Sequence, residues 1–363
     1  MPRESVNSHT TDAAARSTSR REFLIAGVGA LAAGAAPAIV GATDKAGARP
    51  AIIGEGDFQF ECHHNWGELP DGFQWYVTHG VTIDRDGLVY IKHRAVKGTE
   101  TDTILVFDPD GKFVRSFGKE YCAGGHGIDI RLEDGQEFLY LSDTFNRQVV
   151  KTDLQGEWVW KLRYPREPDV YETVDKFSPT NVCFAPDGGF YVGDGYGSDY
   201  IHQYDRHAGW IRTWGGTGTE PGKMKTPHGL WLDDRPGRDA SLVVADRANA
   251  RLQYFTLDGE HLGFVEGLSF PADIDIQAET MLVPDLHARV TLLDVNNELI
   301  AHLGYDQAWT DAVLADKFAM RKQPDRWESG RFIHPHDACF DKDGNIFVAE
   351  WVEPGRITFL RRV

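Results

Sequence analysis

The sequence predicts an all-β protein built as a six-bladed β-propeller, and the first observation behind this prediction is a recurring motif. Its clearest copy is Pro227-His228-Gly229-Leu230-Trp231, and degraded copies run along the chain. The second position of the six copies reads His79, His126, Thr180, His228, Ala272 and His336, so subtraction gives steps of 47, 54, 48, 44 and 64 residues. A period of this size made of short strands is typical of a propeller or a solenoid.

The second observation is the internal pattern of each repeat. Short alternating segments follow the motif, separated by turns of the Asp-Gly or Asn-containing kind, and the second segment ends in an acid at Asp143, Asp194, Asp246 and Glu350. Alternation over four to eight residues between turn residues predicts strands joined as hairpins. Four strands per repeat is the pattern of a propeller blade. Six copies therefore predict six blades.

The third observation concerns the two ends of the repeat region. Residues 57–62 have the pattern of a strand but belong to no repeat, whereas the last repeat provides only three strands before Val363. We expect this N-terminal strand to supply the missing outer strand of the last blade. Closure of the ring in this way removes free sheet edges.

The N-terminus has the pattern of a targeting segment. A twin-arginine motif, Ser19-Arg20-Arg21-Glu22-Phe23-Leu24, precedes an apolar run over 25–40 that is rich in Ala and Gly. The run is short and lacks a stop-transfer flank, which favours a signal peptide over a membrane-spanning helix. Residues 1–42 are therefore predicted to direct export by the twin-arginine (Tat) pathway, with the Tat translocase as a partner during export. The predicted location is periplasmic or secreted, with no membrane insertion after signal removal.

Residues 43–363 are predicted to form a single propeller domain with one insertion at 305–331, between blades five and six. Part of the insertion, 308–321, has a helical pattern. A loop of this length in a compact domain is typical of a lid or a binding loop. The formal net charge of −17 argues against a nucleic-acid partner. The spacing of Cys62 and Cys122 leaves a disulfide between them open.

The candidate metal-binding residues are the histidines at the second position of the motif. Blades two, four and six contribute His126, His228 and His336, and alternate blades of a six-fold ring lie about 120° apart around the axis. Three imidazoles converging on the channel match an open catalytic zinc site, whose fourth position is free for water or substrate. The alternative for each histidine taken singly is packing or hydrogen bonding inside the channel.

These residues, with their neighbours, resemble the peptidyl-α-hydroxyglycine α-amidating lyases, which are six-bladed propellers of the NHL-repeat type. The resemblance runs from about Trp66 to the C-terminus. It is carried by Arg94, the segment His126-Gly127-Ile128-Asp129, the turn Asp194-Gly195-Tyr196-Gly197, Pro227-His228-Gly229, Ala245-Asp246-Arg247-Ala248-Asn249 and Pro335-His336-Asp337.

The resemblance implies a set of functional residues. It assigns zinc to His126, His228 and His336, and a structural calcium ion to the carbonyls of Val81 and Ile128 and the carboxylate of Asp337. It also implies that Tyr196 acts on the substrate hydroxyl, that Arg94 engages the substrate and the transition state, and that Arg247 is a second arginine near the site. From the residues alone, a loop-tip packing role for Tyr196 and a salt bridge of Arg94 to acids of its own loop remain open.

Three departures from the family pattern concern the rim of the site. His334 stands two residues before the last zinc histidine, where animal members have methionine, and Gly197 stands where they have a disulfide cysteine. His79 adds a fourth histidine to the channel. The metal scaffold matches the family, whereas the surroundings of the substrate differ.

The leading functional hypothesis is therefore a secreted zinc lyase. It would cleave an N-acyl-α-hydroxyglycine-like carbinolamide to an amide and glyoxylate, so its partner would be a small-molecule or peptide-derived substrate. One alternative is a metal-dependent, lactonase-like hydrolase that uses a water molecule activated by the metal. The other is a non-catalytic NHL-repeat propeller that binds a partner through its top face.

Overall fold

A computed structural model describes residues 49–363 of the chain. The predicted signal peptide at 1–42 lies outside the described residues, so export and location stay predictions. The described residues all belong to one compact unit. None of the helices among them is long and apolar enough to cross a membrane.

Twenty-five strands form six antiparallel sheets, each of which is one blade. Strands β1 (Ala51–Glu55) and β2 (Phe58–His64) precede blade one, which contains β3 (Val77–Ile83), β4 (Val89–Arg94), β5 (Ile104–Phe107) and β6 (Phe113–Phe117). Blade two contains β7 (Gly125–Glu133), β8 (Gln136–Asp143), β9 (Gln148–Thr152) and β10 (Trp158–Leu162). Blade three contains β11 (Val182–Phe184), β12 (Phe190–Gly193), β13 (Tyr200–Tyr204) and β14 (Trp210–Gly215).

The second half of the chain repeats the same plan. Blade four contains β15 (Pro227–Asp233), β16 (Ser241–Asp246), β17 (Arg251–Phe255) and β18 (His261–Val265). Blade five contains β19 (Asp275–Gln277), β20 (Thr280–Asp285), β21 (Arg289–Leu293) and β22 (Leu299–Leu303). Blade six contains β23 (Pro335–Phe340), β24 (Ile346–Glu350) and β25 (Arg356–Arg362). The predicted all-β, six-bladed propeller is confirmed.

The N-terminal strand closes the ring, as the sequence predicts. Strand β2 pairs antiparallel with β25, with Cys62 opposite Leu360, so blade six has the strand order β1-β2-β25-β24-β23. Strand β1 is an additional fifth strand that the sequence analysis did not predict. It is five residues long and contains Gly54 at a φ of 89°, so its pattern is too short and irregular to stand out.

The hydrophobic core lies between neighbouring blades. For example, Ile128, Leu139 and Leu141 of blade two pack against Tyr90 and Val106 of blade one, and all five side chains are buried. Comparable clusters join blades four and five, and five and six. Each sheet therefore buries both faces against its neighbours, which fixes the height of every inner strand in the ring.

The insertion between blades five and six contains the one α-helix of the described residues, α1 (Gln307–Phe318). The carboxylate of Asp306 caps its N-terminus by accepting a hydrogen bond from Trp309 N at 2.8 Å. Regular helical geometry ends before the sequence pattern predicts, because Asp316, Lys317 and Phe318 have φ values of 50°, 55° and 65°. Short 3-10 turns lie at Lys119–Tyr121, Val174–Lys176, Arg247–Asn249, Ala319–Lys322 and Pro324–Arg326.

Candidate metal centre and active site

The inner strands carry their histidines at β-bulges. The pairing register shifts between Gly125 and Ile128 in β7, between Pro227 and Leu230 in β15, and between Pro335 and Asp337 in β23. A bulge takes a residue out of the ladder and changes the direction of its side chain. Strand β3 has the same shift around His79. In the four blades whose motif contains histidine, the motif is thus a β-bulge at the histidine position.

The bulges bring His126, His228 and His336 together. Their rings lie 4.6 to 4.9 Å apart between centroids, and one potential ligand atom from each lies within 4.8 Å of the other two. All three side chains are buried. The alternate-blade arrangement that the sequence predicts is therefore present in the fold, and the cluster can hold a metal ion.

Backbone carbonyls fix the orientation of the three rings. The Nδ1 atoms of His126, His228 and His336 lie 2.6, 2.5 and 2.7 Å from the carbonyl oxygens of Thr180, Ala272 and His79. Because a carbonyl only accepts, each Nδ1 must carry the proton, which leaves the Nε2 lone pair free. Burial lowers the pKa of all three imidazoles, to about 3 for His336, so that the neutral form dominates. Metal-binding histidines typically donate their second ring N–H in this manner.

The glycine after the histidine allows this contact between blades. At Gly229, an added Cβ would lie 2.3 Å from Asp273 Oδ1 and 2.4 Å from Asp273 Cα. At Gly127 it would lie 2.7 Å from the carbonyl oxygen of Thr180, the acceptor for His126. At His126 and His228, glycine lets the neighbouring inner strand approach closely enough for its carbonyl to reach Nδ1. His336 is followed by Asp337 instead, and its Nδ1 still lies 2.7 Å from the carbonyl of His79.

The Tyr196 side chain contacts two of the three clustered histidines and is partly exposed to solvent. Its hydroxyl is 3.0 Å from His228 Nε2 and 3.3 Å from His126 Nε2. The turn that presents it is organised by Asp194, whose carboxylate accepts from the backbone N–H groups of Ser178 and Ser198. Tyr196 is 42% exposed, so it lies between the buried histidines and solvent.

Two arginines approach the same place. Arg247 Nη2 donates to the Tyr196 hydroxyl at 3.2 Å, and its guanidinium lies 5.2 Å from the centre of the Tyr196 ring. Arg94 Nη2 donates to Thr144 Oγ1 at 3.3 Å. The Nε atoms of both arginines are buried without a hydrogen-bond partner among the described residues. Burial lowers the pKa of Arg94, while the nearby Tyr196 opposes that shift.

A cavity of about 190 Å³ opens beside the histidine cluster. Its lining includes Arg94, Tyr196, Arg247, His79 and His336, so the predicted catalytic arginines and tyrosine share one space with the metal cluster. The sequence analysis did not identify five further residues of the cavity lining, which are Phe270, Leu286, His287, Phe318 and Trp351. Two of them could have been found from their place in the repeat, because Phe270 directly precedes the motif of blade five and Trp351 directly follows Glu350.

His79 acts through its backbone as well as its ring. Its carbonyl accepts from His336 Nδ1, while its own Nδ1 lies 2.9 Å from the carbonyl of Val77. Its ring centroid is 4.8 Å from that of His336. Among the described residues, the converging ligand atoms are those of His126, His228 and His336, and His79 is outside that group.

The residues implied for calcium lie further along the same inner strands. Val81 N donates to Asp337 Oδ2 at 2.9 Å, and the side chain of Ile128 is buried between blades one and two. Asp129 and Asp273 lie beside Asp337 along a second cavity of about 380 Å³. Burial, followed by the neighbouring carboxylates, raises the pKa of all three acids well above the ordinary range.

Comparison with known proteins finds relatives named as alpha-amidating monooxygenases or lyases, and also NHL repeat-containing protein 3 of Mus musculus, which is 30% identical over 52% of this chain and 54% of that protein. The chain is 27% identical to the peptidylglycine alpha-amidating monooxygenase of Rattus norvegicus over 274 residues, which cover 73% of this chain and 26% of that protein. It is 28% identical over 320 residues to the peptidyl-alpha-hydroxyglycine alpha-amidating lyase 1 of Drosophila melanogaster, covering 76% of this chain and 55% of that protein. A probable lyase of the same name from Caenorhabditis elegans is 25% identical, with 71% of this chain and 70% of that protein covered. The chain thus spans about a quarter of the length of the curated monooxygenase it matches in the rat.

No family model matches the chain. Among solved structures, virginiamycin B lyase from Staphylococcus aureus aligns with a TM-score of 0.54 at 14% identity, over 84% of this chain and all of that one. A putative gluconolactonase aligns with a TM-score of 0.51 at 16% identity, over 83% of this chain and 93% of that one. At these identities the structural matches show the propeller fold alone.

Proposed function

Because this chain belongs to the peptidyl-α-hydroxyglycine α-amidating lyase family, we propose that it is a zinc-dependent lyase. Its substrate is an N-acyl-α-hydroxyglycine-like carbinolamide, and its products are an amide and glyoxylate. One observation carries the proposal: the Tyr196 hydroxyl lies within hydrogen-bond distance of two histidine Nε2 atoms and of Arg247. A base, a cation and a metal-binding cluster therefore meet at one point.

The reaction itself sets what the site must do. The substrate R–CO–NH–CH(OH)–COO⁻ loses its hydroxyl proton, its C–N bond breaks, and the hydroxyl carbon becomes the aldehyde of glyoxylate. The released amide nitrogen takes up one proton, so atoms and charge balance without water or an oxidant. The protein must accept one proton, return one, and hold the carboxylate while charge develops on oxygen.

The histidine cluster fits zinc. Three neutral imidazoles with free Nε2 lone pairs, held by Nδ1–H bonds to carbonyls, form the ligand set of an open catalytic zinc site. When bound, zinc supplies Lewis acidity to a substrate oxygen at the open position. The residues around this position are Tyr196, Arg94 and Arg247, which gives the protein its own acid–base and charge-stabilising groups there.

Tyr196 is the proposed base for the substrate hydroxyl. Its oxygen is already at hydrogen-bond distance from the groups that face the reacting centre, which is the first requirement for general-base catalysis. Arg247 lies 3.2 Å from that oxygen and stabilises negative charge on it during proton transfer. The same phenol, once protonated, is placed to return the proton to the departing nitrogen.

The arginines also fit the carboxylate of the substrate. Guanidinium groups bind carboxylates through paired N–H donors, and each of these arginines has a buried Nε without a partner in the described part of the chain. Arg94 and Arg247 line the same cavity as Tyr196, so a small carboxylate bound there would have guanidinium donors available from both. Ligand binding would thereby supply partners for groups that the protein leaves unsatisfied.

A structural calcium ion is part of the same proposal. Its ligands are the carbonyls of Val81 and Ile128 and the carboxylate of Asp337, and oxygen-only sites suit calcium. Support comes from the buried carboxylates of Asp129, Asp273 and Asp337, because close buried acids are stable as anions only beside a cation.

The test is glyoxylate release from α-hydroxyhippurate by the zinc-loaded protein, compared with Tyr196→Phe. The variant should keep its zinc and its fold while kcat falls by roughly 10²–10⁴, the usual contribution of a general base. Tyr305→Phe is a matched control, because the Tyr305 hydroxyl bonds to Gln307 in the insertion and not to the cluster.

Normal turnover in zinc-replete Tyr196→Phe would overturn this mechanism. Hydrolysis of a lactone at an equal rate in both proteins would instead favour the metal-dependent hydrolase, because hydrolysis need not use the phenol. Absence of turnover on both substrate types, with zinc bound, would favour a binding propeller.

A further inference from the structure

His334 is a buried histidine of the cavity lining whose second ring nitrogen, Nε2, has no hydrogen-bond partner among the described residues. Its side chain lines the 190 Å³ cavity and is 1% exposed, and its Nδ1 lies 2.7 Å from the carbonyl oxygen of Leu286. Nδ1 must therefore carry the proton, which makes Nε2 a hydrogen-bond acceptor. No described residue donates to that Nε2. A buried acceptor without a hydrogen-bond donor costs folding free energy, so a donor from a bound ligand would stabilise the complex.

The position of His334 separates it from the metal cluster. The ligand atoms that converge within 4.8 Å belong to His126, His228 and His336. His334 instead contacts two aromatic side chains, with ring centroids 5.2 Å from Phe318 and 5.7 Å from Trp351. His334 therefore lies beside an aromatic part of the cavity lining, formed by Phe318 and Trp351.

The cavity has room for one ring-sized group. Its apolar lining consists of Phe270, Leu286, Phe318 and Trp351, and the Arg247 guanidinium lies 5.0 Å from the centre of the Phe270 ring. An apolar cavity of about 150 Å³ is large enough to take up benzene, and the whole cavity here measures about 190 Å³. One phenyl ring or a branched aliphatic group is therefore of a size that this cavity can take up.

The backbone around Phe318 has an unusual conformation that fixes this residue in the cavity lining. Three successive residues, Asp316, Lys317 and Phe318, have left-handed φ values. Such values are unfavourable for residues with side chains and persist only where the surroundings enforce them, commonly at binding sites. The buried residues Val313 and Met320 anchor the segment on either side, within one apolar cluster. Phe318 itself remains 38% exposed at the cavity, where a ligand would cover it.

We propose that Phe318, Trp351 and His334 form a subsite for the acyl half of the substrate. The two aromatic residues contact a ring-sized apolar group, and His334 Nε2 accepts a hydrogen bond from an N–H or O–H next to that group. An acylated aromatic amino-acid residue joined to the α-hydroxyglycine has both features. This inference rests on the proposed lyase function, because it assigns the reacting half of the substrate to Tyr196 and the arginines.

The experiment uses two substrates that differ by one donor-bearing group. N-acetylphenylalanyl-α-hydroxyglycine offers an amide N–H beside its phenyl side chain, and 3-phenylpropanoyl-α-hydroxyglycine lacks it. For the zinc-loaded wild type, KM should be lower by about tenfold for the first, the usual effect of one hydrogen bond. In His334→Met the ratio of the two KM values should approach one, and His334→Gln, which retains an acceptor oxygen, should restore part of the difference.

The matched control is His302→Met. His302 bonds through Nδ1 to Thr291 within blade five and does not line the cavity, so the ratio of KM values should equal that of the wild type. Zinc content and thermal unfolding are measured for every variant. An unchanged ratio in folded, zinc-replete His334→Met would overturn the inference even if lyase activity is present.

A binding experiment distinguishes failure of the lyase proposal from failure of the subsite proposal. If the wild type turns over neither substrate, the subsite is tested by calorimetric binding of the two amides, N-acetylphenylalaninamide and 3-phenylpropanamide. Tighter binding of the first by the wild type, with loss of this preference in His334→Met, would support the subsite. Equal binding of both amides by the wild type, or binding of neither, would overturn it.

Discussion

At the scale of single residues, a His-Gly pair positions two of the three histidines of the candidate metal centre, His126 and His228. The histidine provides the ligand atom, and the glycine lets the next blade approach so that its carbonyl orients the ring. His228 and Gly229 illustrate this in blade four, where the acceptor is Ala272 of blade five. The ligand geometry thus depends on a position that carries no side chain.

We expect Gly229→Ala to destabilise the protein and to weaken zinc binding. The added methyl group would lie 2.3 Å from Asp273 Oδ1 and 2.4 Å from Asp273 Cα, so the strands must move apart. The cost of such overpacking is about 1–3 kcal/mol of unfolding free energy, measured by denaturant titration with zinc content in parallel. Gly263→Ala in the outer strand of the same blade is the control, because nothing lies within 4 Å of its added methyl group. Equal effects of the two substitutions would contradict this explanation.

Sequence alone predicts the residue positions that repeat. The motif recurs in six copies, four of them with histidine at the second position, and these copies reveal the ring. The alternate-blade spacing indicates which three histidines meet. His93 shows where repetition fails, because it occupies the position of the acid that ends the second strand in other blades. Its Nδ1 accepts from Tyr76 N at 3.1 Å, as Asp246 accepts from Lys225 N in blade four. The equivalence of His93 and Asp246 can be recognised only in the folded structure, which shows that Tyr76 N is the hydrogen-bond partner of His93.

At the scale of elements, the insertion contributes Phe318 to the lining of the cavity beside the histidine cluster. Its helical pattern over 308–321 indicates a helix, yet the regular helix ends earlier in three left-handed residues. The periodicity of apolar residues continues through the turn, because Val313 and Met320 pack in the same cluster, so it cannot reveal the break. Phe318 and Trp351 come from separate parts of the chain, and tertiary packing brings both into contact with His334. A local sequence pattern therefore cannot reveal these contacts.

Lys317→Gly is expected to raise the unfolding free energy by about 1 kcal/mol. Lys317 is exposed and has a φ of 55°, a conformation that costs an L-residue about this amount and glycine almost nothing. Ala312→Gly, in the regular part of the helix, should have the opposite sign and a similar size. Differential scanning calorimetry or denaturant titration gives both values. A destabilised Lys317→Gly protein would show that the left-handed segment is held by contacts of the lysine side chain.

At the scale of the whole molecule, stability depends on joining blades that are distant in sequence. The proposed calcium ligands come from blades one, two and six, and Val81 N already bonds to Asp337 Oδ2 between the first and last blades. Blade six is itself assembled from both ends of the described chain through β2 and β25. A cation at this place would therefore stabilise the ring at the point where it closes.

Calcium should raise the unfolding free energy of the calcium-free protein by about 3 kcal/mol at a hundred times Kd. Asp337→Asn should lose this response, because it removes the one carboxylate ligand of the proposed set. Asp343→Asn is the control, since Asp343 lies in an exposed turn of the same blade and pairs with Lys342. Thermal unfolding with and without calcium measures the effect. A full calcium response in Asp337→Asn would remove this residue from the site.

The closure of the ring through β2 and β25 has a consequence for biosynthesis. His64 of β2 and its partner Thr358 of β25 are 294 residues apart. At a ribosomal rate of about 5–20 residues per second, β2 waits about 15 to 60 s for the strand that will cover it. During that interval the nascent chain exposes an uncovered strand edge. The proposed zinc site, which takes its ligands from blades two, four and six, would therefore be completed late in synthesis, once blade six joins the ring.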